Sequence, residues 1–153
     1  MKNFTPNAQQ VLAFARREAS GLKHSYVGTE HLLLGFLKLR GCKADKILRK
    51  KGLLLGSLRK EVIHLVGKGK SARPGPAQYT NNAKTALAYA NREAVRLKAS
   101  YVDTMILLDG LLRLTDCVAI RALRNFDVSN TRLYMEILEE DNLGQRSAKR
   151  DTR

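Results

Sequence analysis

Ser25-Tyr26-Val27-Gly28-Thr29-Glu30-His31-Leu32-Leu33-Leu34-Gly35 returns about 75 residues later as Ser100-Tyr101-Val102-Asp103-Thr104-Met105-Ile106-Leu107-Leu108-Asp109-Gly110. Nothing else in the chain restricts its fold as much. The match continues without a gap on both sides, from Phe4 opposite Tyr79 to Gly67 opposite Asn142, with about 26 of roughly 64 aligned positions identical. A duplication with so long a period makes each copy a multi-helix unit. The copies differ where chemistry could sit: Glu30 and His31 of the first stand opposite Met105 and Ile106 of the second.

Helical spacing runs through both copies. Thr5-Pro6 is a helix start, with Thr as cap and Pro at the first helical position, where its missing N–H costs nothing. Ala8, Val11, Leu12, Ala15, Ala19 and Leu22 follow on one stripe and predict a helix over about 6–20. The stripe is alanine-rich, so a neighbouring helix can approach closely. Thr29 is the expected cap of a second helix, to about Leu39, with Leu32, Leu33, Phe36 and Leu37 as its buried side. Short helices are expected over about 43–51 and 56–66. The pattern then repeats through Ala83, Ala86, Leu87, Ala90 and Ala94, and on to Leu133 and Ile137. No segment alternates with period two for long enough to be a strand.

The expected fold class is therefore all-α: eight helices in two pseudo-symmetric four-helix repeats, packed on each other about a pseudo-twofold axis. The expected organisation is repeat one at 4–66, a linker at 67–78 and repeat two at 79–142, one domain over 1–142, followed by a basic disordered tail at 143–153.

Several function classes fall away on composition. No apolar run reaches the roughly 20 residues that span a bilayer, and the N-terminus has no secretory h-region, so a cytoplasmic protein is expected. Cys42 and Cys117 occupy equivalent positions and read as small buried residues of a reducing compartment. No metal or other cofactor is expected: there is no Cys/His cluster and no helical pair of histidines, and His24 and His64 read as isolated, surface or locally bonded residues. Gly69-Lys70-Ser71 ends like a phosphate-binding loop, but His64 stands where that loop needs its first glycine. No nucleophile, base and orienting residue can be assembled, so the expectation is a protein that is not an enzyme.

Charge is the other constraint. The net charge of +14 is concentrated in repeat one, the linker and the tail, while repeat two is close to neutral. Lys43, Lys46, Arg49, Lys50, Lys51, Arg59 and Lys60 form a candidate partner surface for an acidic molecule. Nucleic acid is the alternative partner. It is disfavoured because no aromatics are interleaved for base stacking and no groove-reading motif is present.

Phe4-Thr5, Tyr79-Thr80, Glu18-Ala19, Glu93-Ala94 and above all Gly28-Thr29-Glu30-His31-Leu32-Leu33-Leu34-Gly35 resemble the Clp N-terminal domain family. This is the double-repeat helical domain at the front of Clp-type AAA+ unfoldases. The resemblance covers about 4–67 and 79–142. It implies a module of the Clp protease and chaperone system, with Clp unfoldase or protease components, adaptors or substrate proteins as partners. No ATPase segment follows, and the ending reads as that of a stand-alone protein, with the front of a longer chain as the other reading. In some members of the family the Glu of this motif helps to bind phosphorylated arginine, one site per repeat. The resemblance thus makes Thr29, Glu30 and His31 candidate contacts for a phosphoarginine or peptide ligand. Met105 removes the equivalent acid from repeat two. The bland alternative is that Thr29 caps its helix, Glu30 offsets the dipole and His31 bonds locally.

Overall fold

The computed structural model describes residues 2–70 and 78–151, with side chains as far as Glu140. Among the described residues eight helices are present, in the order expected. In repeat one they are α1 (Pro6–Gly21), α2 (Thr29–Lys38), α3 (Lys43–Lys50) and α4 (Leu55–Val66). In repeat two they are α5 (Asn81–Arg96), α6 (Thr104–Leu112), α7 (Val118–Asn125) and α8 (Asn130–Asp151). Thr5 and Thr80 cap α1 and α5 as their sequence positions predict, accepting the N–H of Ala8 and of Ala83, each at 3.1 Å. The backbone of α8 continues to Asp151, so the stretch expected as a disordered tail is helical that far. Leu143, Gln145, Arg146, Ala148 and Lys149 favour helix there and no proline interrupts it, while Asn142, Gly144 and Ser147 are the weak formers.

Four two-residue strands accompany the helices among the described residues, against the expectation of none. β1 (Asn3–Phe4) pairs in parallel with β4 (Tyr101–Val102), and β2 (Tyr26–Val27) pairs in parallel with β3 (Gln78–Tyr79). Each pair joins one repeat to the other. The same bond closes both: Thr5 N–H donates to the Val102 carbonyl and Thr80 N–H to the Val27 carbonyl, each at 2.9 Å. Two residues are too few to show a period of two, which is why the sequence does not announce them. The Tyr-Val of the duplicated motif is thus the seam between the repeats.

The core lies between the copies. α2 and α6 are its central helices: every residue from Thr29 to Leu37 is buried, as is every residue of α6 except Met105. Expecting only one side of α2 to be buried understates this. A helix with no polar face, as in Leu32 to Leu37, is one that neighbours surround. Inside each repeat α1 packs on α2 and α5 on α6. Across the repeats α2 meets α5 and α7, and α6 meets α1 and α3. The tight α1–α2 crossing rests on Gly35, where a Cβ would lie 2.5 Å from the Val11 carbonyl oxygen. Gly110 occupies the equivalent place against Ala86 and Ala90. The free thiols Cys42 and Cys117 are both buried.

Candidate functional site

The head of α2 gathers the three motif residues, and the structure buries all of them: Thr29 is 2% exposed, Glu30 3% and His31 0%. The cap is one residue earlier than expected. Gly28 is the N-cap residue and Thr29 is already helical. Gly28 has no side chain to offer, so His31, three residues on, reaches back and accepts the Gly28 N–H at Nδ1, 2.9 Å away. That is the rear half of a capping box, with imidazole in place of a carboxylate. Repeat two holds the front half instead: Asp103 is the N-cap residue there, not Thr104, and its carboxylate accepts the Ile106 N–H at 2.8 Å. Gly28→Asp103 and His31→Ile106 are thus one compensated exchange between the copies. Thr29, released from capping α2, accepts the N–H of Ala119 at the start of α7, 3.2 Å away.

Glu30 folds back over Gly28, where its carboxyl fills the space that a Cβ on Gly28 would need. Burial raises its pKa above the ordinary carboxylate range, opposed by a bond to its own backbone N–H and by nearby His24. Burial also raises the Tyr26 hydroxyl, and the Glu30 charge adds to the rise. His31 moves the other way, with burial first and His24 second lowering it to about 3.

His24 is not isolated. It is 5% exposed, its Nδ1 lies 2.8 Å from His31 Nε2, and its Nε2 lies 2.8 Å from the Gly67 carbonyl oxygen. Tyr26 stacks on it at 5.2 Å. A separation of seven positions, across a turn and a helix start, has no local signature, so only the folded chain brings the two histidines together. His64, by contrast, is exposed.

The basic surface divides in two. Lys43, Lys46 and Lys50 are exposed on α3 at helical spacing, with Lys51 following and Lys60 exposed on α4. Lys51 is paired to Glu136 of α8 at 2.6 Å. Arg49 serves the buried Asp45 at 2.7 Å, and Arg59 serves the buried Glu18 through bonds of 2.7 and 3.0 Å. Two of the seven expected surface cations therefore belong to internal ion pairs.

Glu18 and Glu93 are equivalent buried acids that sequence reading singles out only as part of the family pattern. Lys38 lies 3.6 Å from Glu18 and Arg113 lies 3.9 Å from Glu93, with Arg96 as the second partner there. The same Lys38 and Arg113 lie over the rings of Phe14 and Tyr89, 5.5 and 5.1 Å from their centres. These aromatics already carry cations on their faces, which leaves little ring surface for stacking a base. A cleft of about 380 Å³ opens where the heads of α1 and α6 meet, lined by Thr5, Pro6, Asn7, Lys43, Asp103 and Thr104. It exists because β1 and β4 bring those two heads together. Among the described residues no group of three His, Cys, Asp or Glu could hold a metal ion, and no helix is long and apolar enough to cross a membrane.

Two interlocked helical repeats with buried motif heads define a class of domain, and sequence comparison identifies it. The family profile of the Clp repeat (R) N-terminal domain matches residues 3–126 and, in a second register, 78–152. The chain belongs to this family. It is 39% identical over 140 residues to a probable ATP-dependent Clp protease ATP-binding subunit of Chlamydia pneumoniae, covering 91% of this chain and 17% of that protein. It is also 39% identical over 136 residues to the negative regulator of genetic competence ClpC/MecB of Bacillus subtilis, covering 89% and 17%. The chain thus spans about a sixth of the length of these relatives. Among solved structures, the N-terminal domain of ClpD from Arabidopsis thaliana superposes with a TM-score of 0.76 at 20% identity, over 92% of this chain and 95% of that one. The Hsp104 N-terminal domain from Candida albicans gives 0.72 at 22% identity, over 92% of each.

Proposed function

We propose that the chain is a non-enzymatic protein-binding module of the Clp system, acting in the cytoplasm to recruit substrates or adaptors or to modulate a Clp unfoldase. Family membership across both repeats is the observation that carries this reading. The charge asymmetry makes repeat one the binding side, and the exposed Lys43, Lys46 and Lys50 of α3 fit an acidic partner. Glu30 is the proposed contact for a phosphorylated arginine. It would reach a guanidinium once its carboxyl swings off Gly28, with His31 and Thr29 holding the helix head in place.

The test is binding to the Clp unfoldase of the same cell and to peptides with and without phosphoarginine. Recovery of neither a Clp component nor an unfolded or phosphorylated protein from the cell extract overturns the reading. Glu30→Ala should cut phosphoarginine-peptide affinity sharply while the melting temperature changes little. Unchanged affinity removes Glu30 from the site. Duplex DNA or RNA binding that persists near physiological salt, and that falls in the Lys46→Glu, Lys50→Glu, Lys51→Glu variant, would favour a nucleic-acid partner instead.

A further inference from the structure

Three buried acids of this chain come with cations. Glu18 is held by Arg59 and Lys38, Asp45 by Arg49, and Glu93 by Arg96 and Arg113. Glu30 is as enclosed as they are, at 3% exposed, yet among the described residues it has no ion pair and no hydrogen bond to another residue. A carboxyl is rarely buried in that condition. What it has is its own backbone N–H, at the second position of α2, and the room above Gly28.

That room exists because residue 28 has no side chain. A Cβ on Gly28 would lie 2.1 Å from Glu30 Oε1, 2.9 Å from its Cδ and 3.4 Å from its Oε2, and these are the three atoms nearest to it. The backbone makes no demand for glycine: φ is −103° and ψ −177°, ordinary extended values. Repeat two starts its helix in the same way with a side chain present. Asp103 stands there at φ −92° and ψ −178°, and Met105, the counterpart of Glu30, is partly exposed rather than buried. Glycine at 28 therefore serves as a seat for the carboxyl of the residue two places on.

The seated carboxyl lies where a ligand would act. Its charge is turned away from solvent, and it covers the Glu30 N–H, one of the free donors at the positive end of α2. When the carboxyl swings off, it can receive a guanidinium, and the same N–H is left bare for an anion beside it. One motion thus uncovers a partner for each half of a phosphorylated guanidinium.

We propose that Gly28 sets the affinity of the Glu30 site: it admits a closed position of the carboxyl that competes with the ligand, and a side chain at 28 holds the site open. This rests on the reading of Glu30 as a ligand contact. Apparent affinity falls in proportion to the fraction of chains that are open. Glu30 is buried in the closed position, so the parent binds below the intrinsic affinity of its site. His31 keeps its bond to the N–H of residue 28 in either position, because residue 28 contributes only backbone to it.

The experiment is calorimetric titration of the full chain with a peptide carrying one phosphoarginine. The proteins are the parent, Gly28→Ala, Gly28→Ser, Glu30→Ala and the double variant Gly28→Ala, Glu30→Ala. Carbon NMR of the Glu30 carboxyl, without peptide, reads the seat itself. Gly28→Ala and Gly28→Ser should each bind at least about tenfold more tightly than the parent. In the Glu30→Ala background the change at 28 should alter affinity by less than about twofold. Without peptide the Glu30 pKa, raised in the parent, should fall towards the ordinary carboxylate range in both Gly28 variants. Gly28 variants that bind no more tightly than the parent, while Glu30→Ala loses binding, overturn the seat and leave Glu30 as a contact. A gain that survives Glu30→Ala, or a Glu30 pKa that a side chain at 28 does not move, overturns the seat as well. Peptide binding absent from the parent and from both Gly28 variants overturns the seat's role together with the Glu30 contact. If Gly28→Ala does not fold, Gly28→Ser, whose hydroxyl can cap α2, decides the matter.

Discussion

Thr29 Oγ1 accepts the backbone N–H of Ala119 at 3.2 Å, across 90 residues of sequence. The first free donors of α7 are therefore served by the other repeat, because Cys117, the N-cap residue of α7, makes no side-chain cap. A motif that reads as a helix cap is instead a clamp between helices. Thr29→Val keeps the shape and removes the acceptor, leaving a buried N–H unmatched. The expected loss is about 1–2 kcal/mol in urea unfolding, with Thr29→Ser close to the parent. Equal stability of Thr29→Val and parent would show that the bond contributes nothing.

The close crossing of α1 on α2 predicts a second effect. A methyl at Gly35 would press on the Val11 carbonyl and, 3.1 Å away, on the Ala15 nitrogen. Both are backbone atoms, which can yield only if the helices separate. Gly35→Ala should cost about 1–3 kcal/mol despite the better helix propensity of alanine. Gly110→Ala should behave alike at the α5–α6 crossing. A melting temperature at or above that of the parent for either variant would contradict this packing.

How much of this was legible in the chain follows from where each signal resides. The eight helices, the duplication and the Thr5 and Thr80 caps are local or periodic, and they stand in the sequence as they stand in the fold. The alanine stripe of α1 likewise anticipates the close approach of Gly35. What the sequence does not carry is contact between copies: Tyr26-Val27 on Gln78-Tyr79, Thr29 on Ala119, and His24 on His31 and Gly67. Those depend on how two units interlock, and two-residue strands or a seven-residue histidine spacing have no periodic trace. The basic surface was half legible. Composition counts Arg49 and Arg59 with the lysines, but only geometry separates cations that serve Asp45 and Glu18 from those left facing solvent.

Arg59 supplies a third prediction. Glu18 is 5% exposed and receives both bonds of the Arg59 guanidinium, a bond that also raises the guanidinium pKa. Arg59→Ala strands most of a buried carboxylate, with only Lys38 nearby. Because Arg59 itself is partly in water, the cost is set below that of a fully buried pair, at about 1–3 kcal/mol. Glu18→Gln in the same chain should recover part of that loss, since it removes the charge left without its partner. A double variant as unstable as the sum of the two singles would refute coupling between them.

The last prediction concerns pH. His31 is held down to about 3 in the folded chain, against 6.5 for an ordinary histidine, by burial first and by His24 second. A group whose folded pKa lies below its unfolded pKa binds more protons when unfolded, so stability is full above about 6.5 and is lost as pH falls towards about 3. Glu30 has the opposite sign. Its pKa is raised by burial, so the folded chain binds more protons and gains stability as pH falls towards the ordinary carboxylate range. On acidification from neutrality the histidine shift alone removes roughly 2 kcal/mol by about pH 5, while Glu30 returns part of this. Urea unfolding across that range should show stability falling below about pH 6.5. In His31→Ile, the residue that repeat two carries, that slope should flatten, and Glu30 should leave a slight gain towards acid. A parent protein whose stability is level between neutrality and pH 5, or a variant that keeps the parent slope, would show that His31 is not the group responsible.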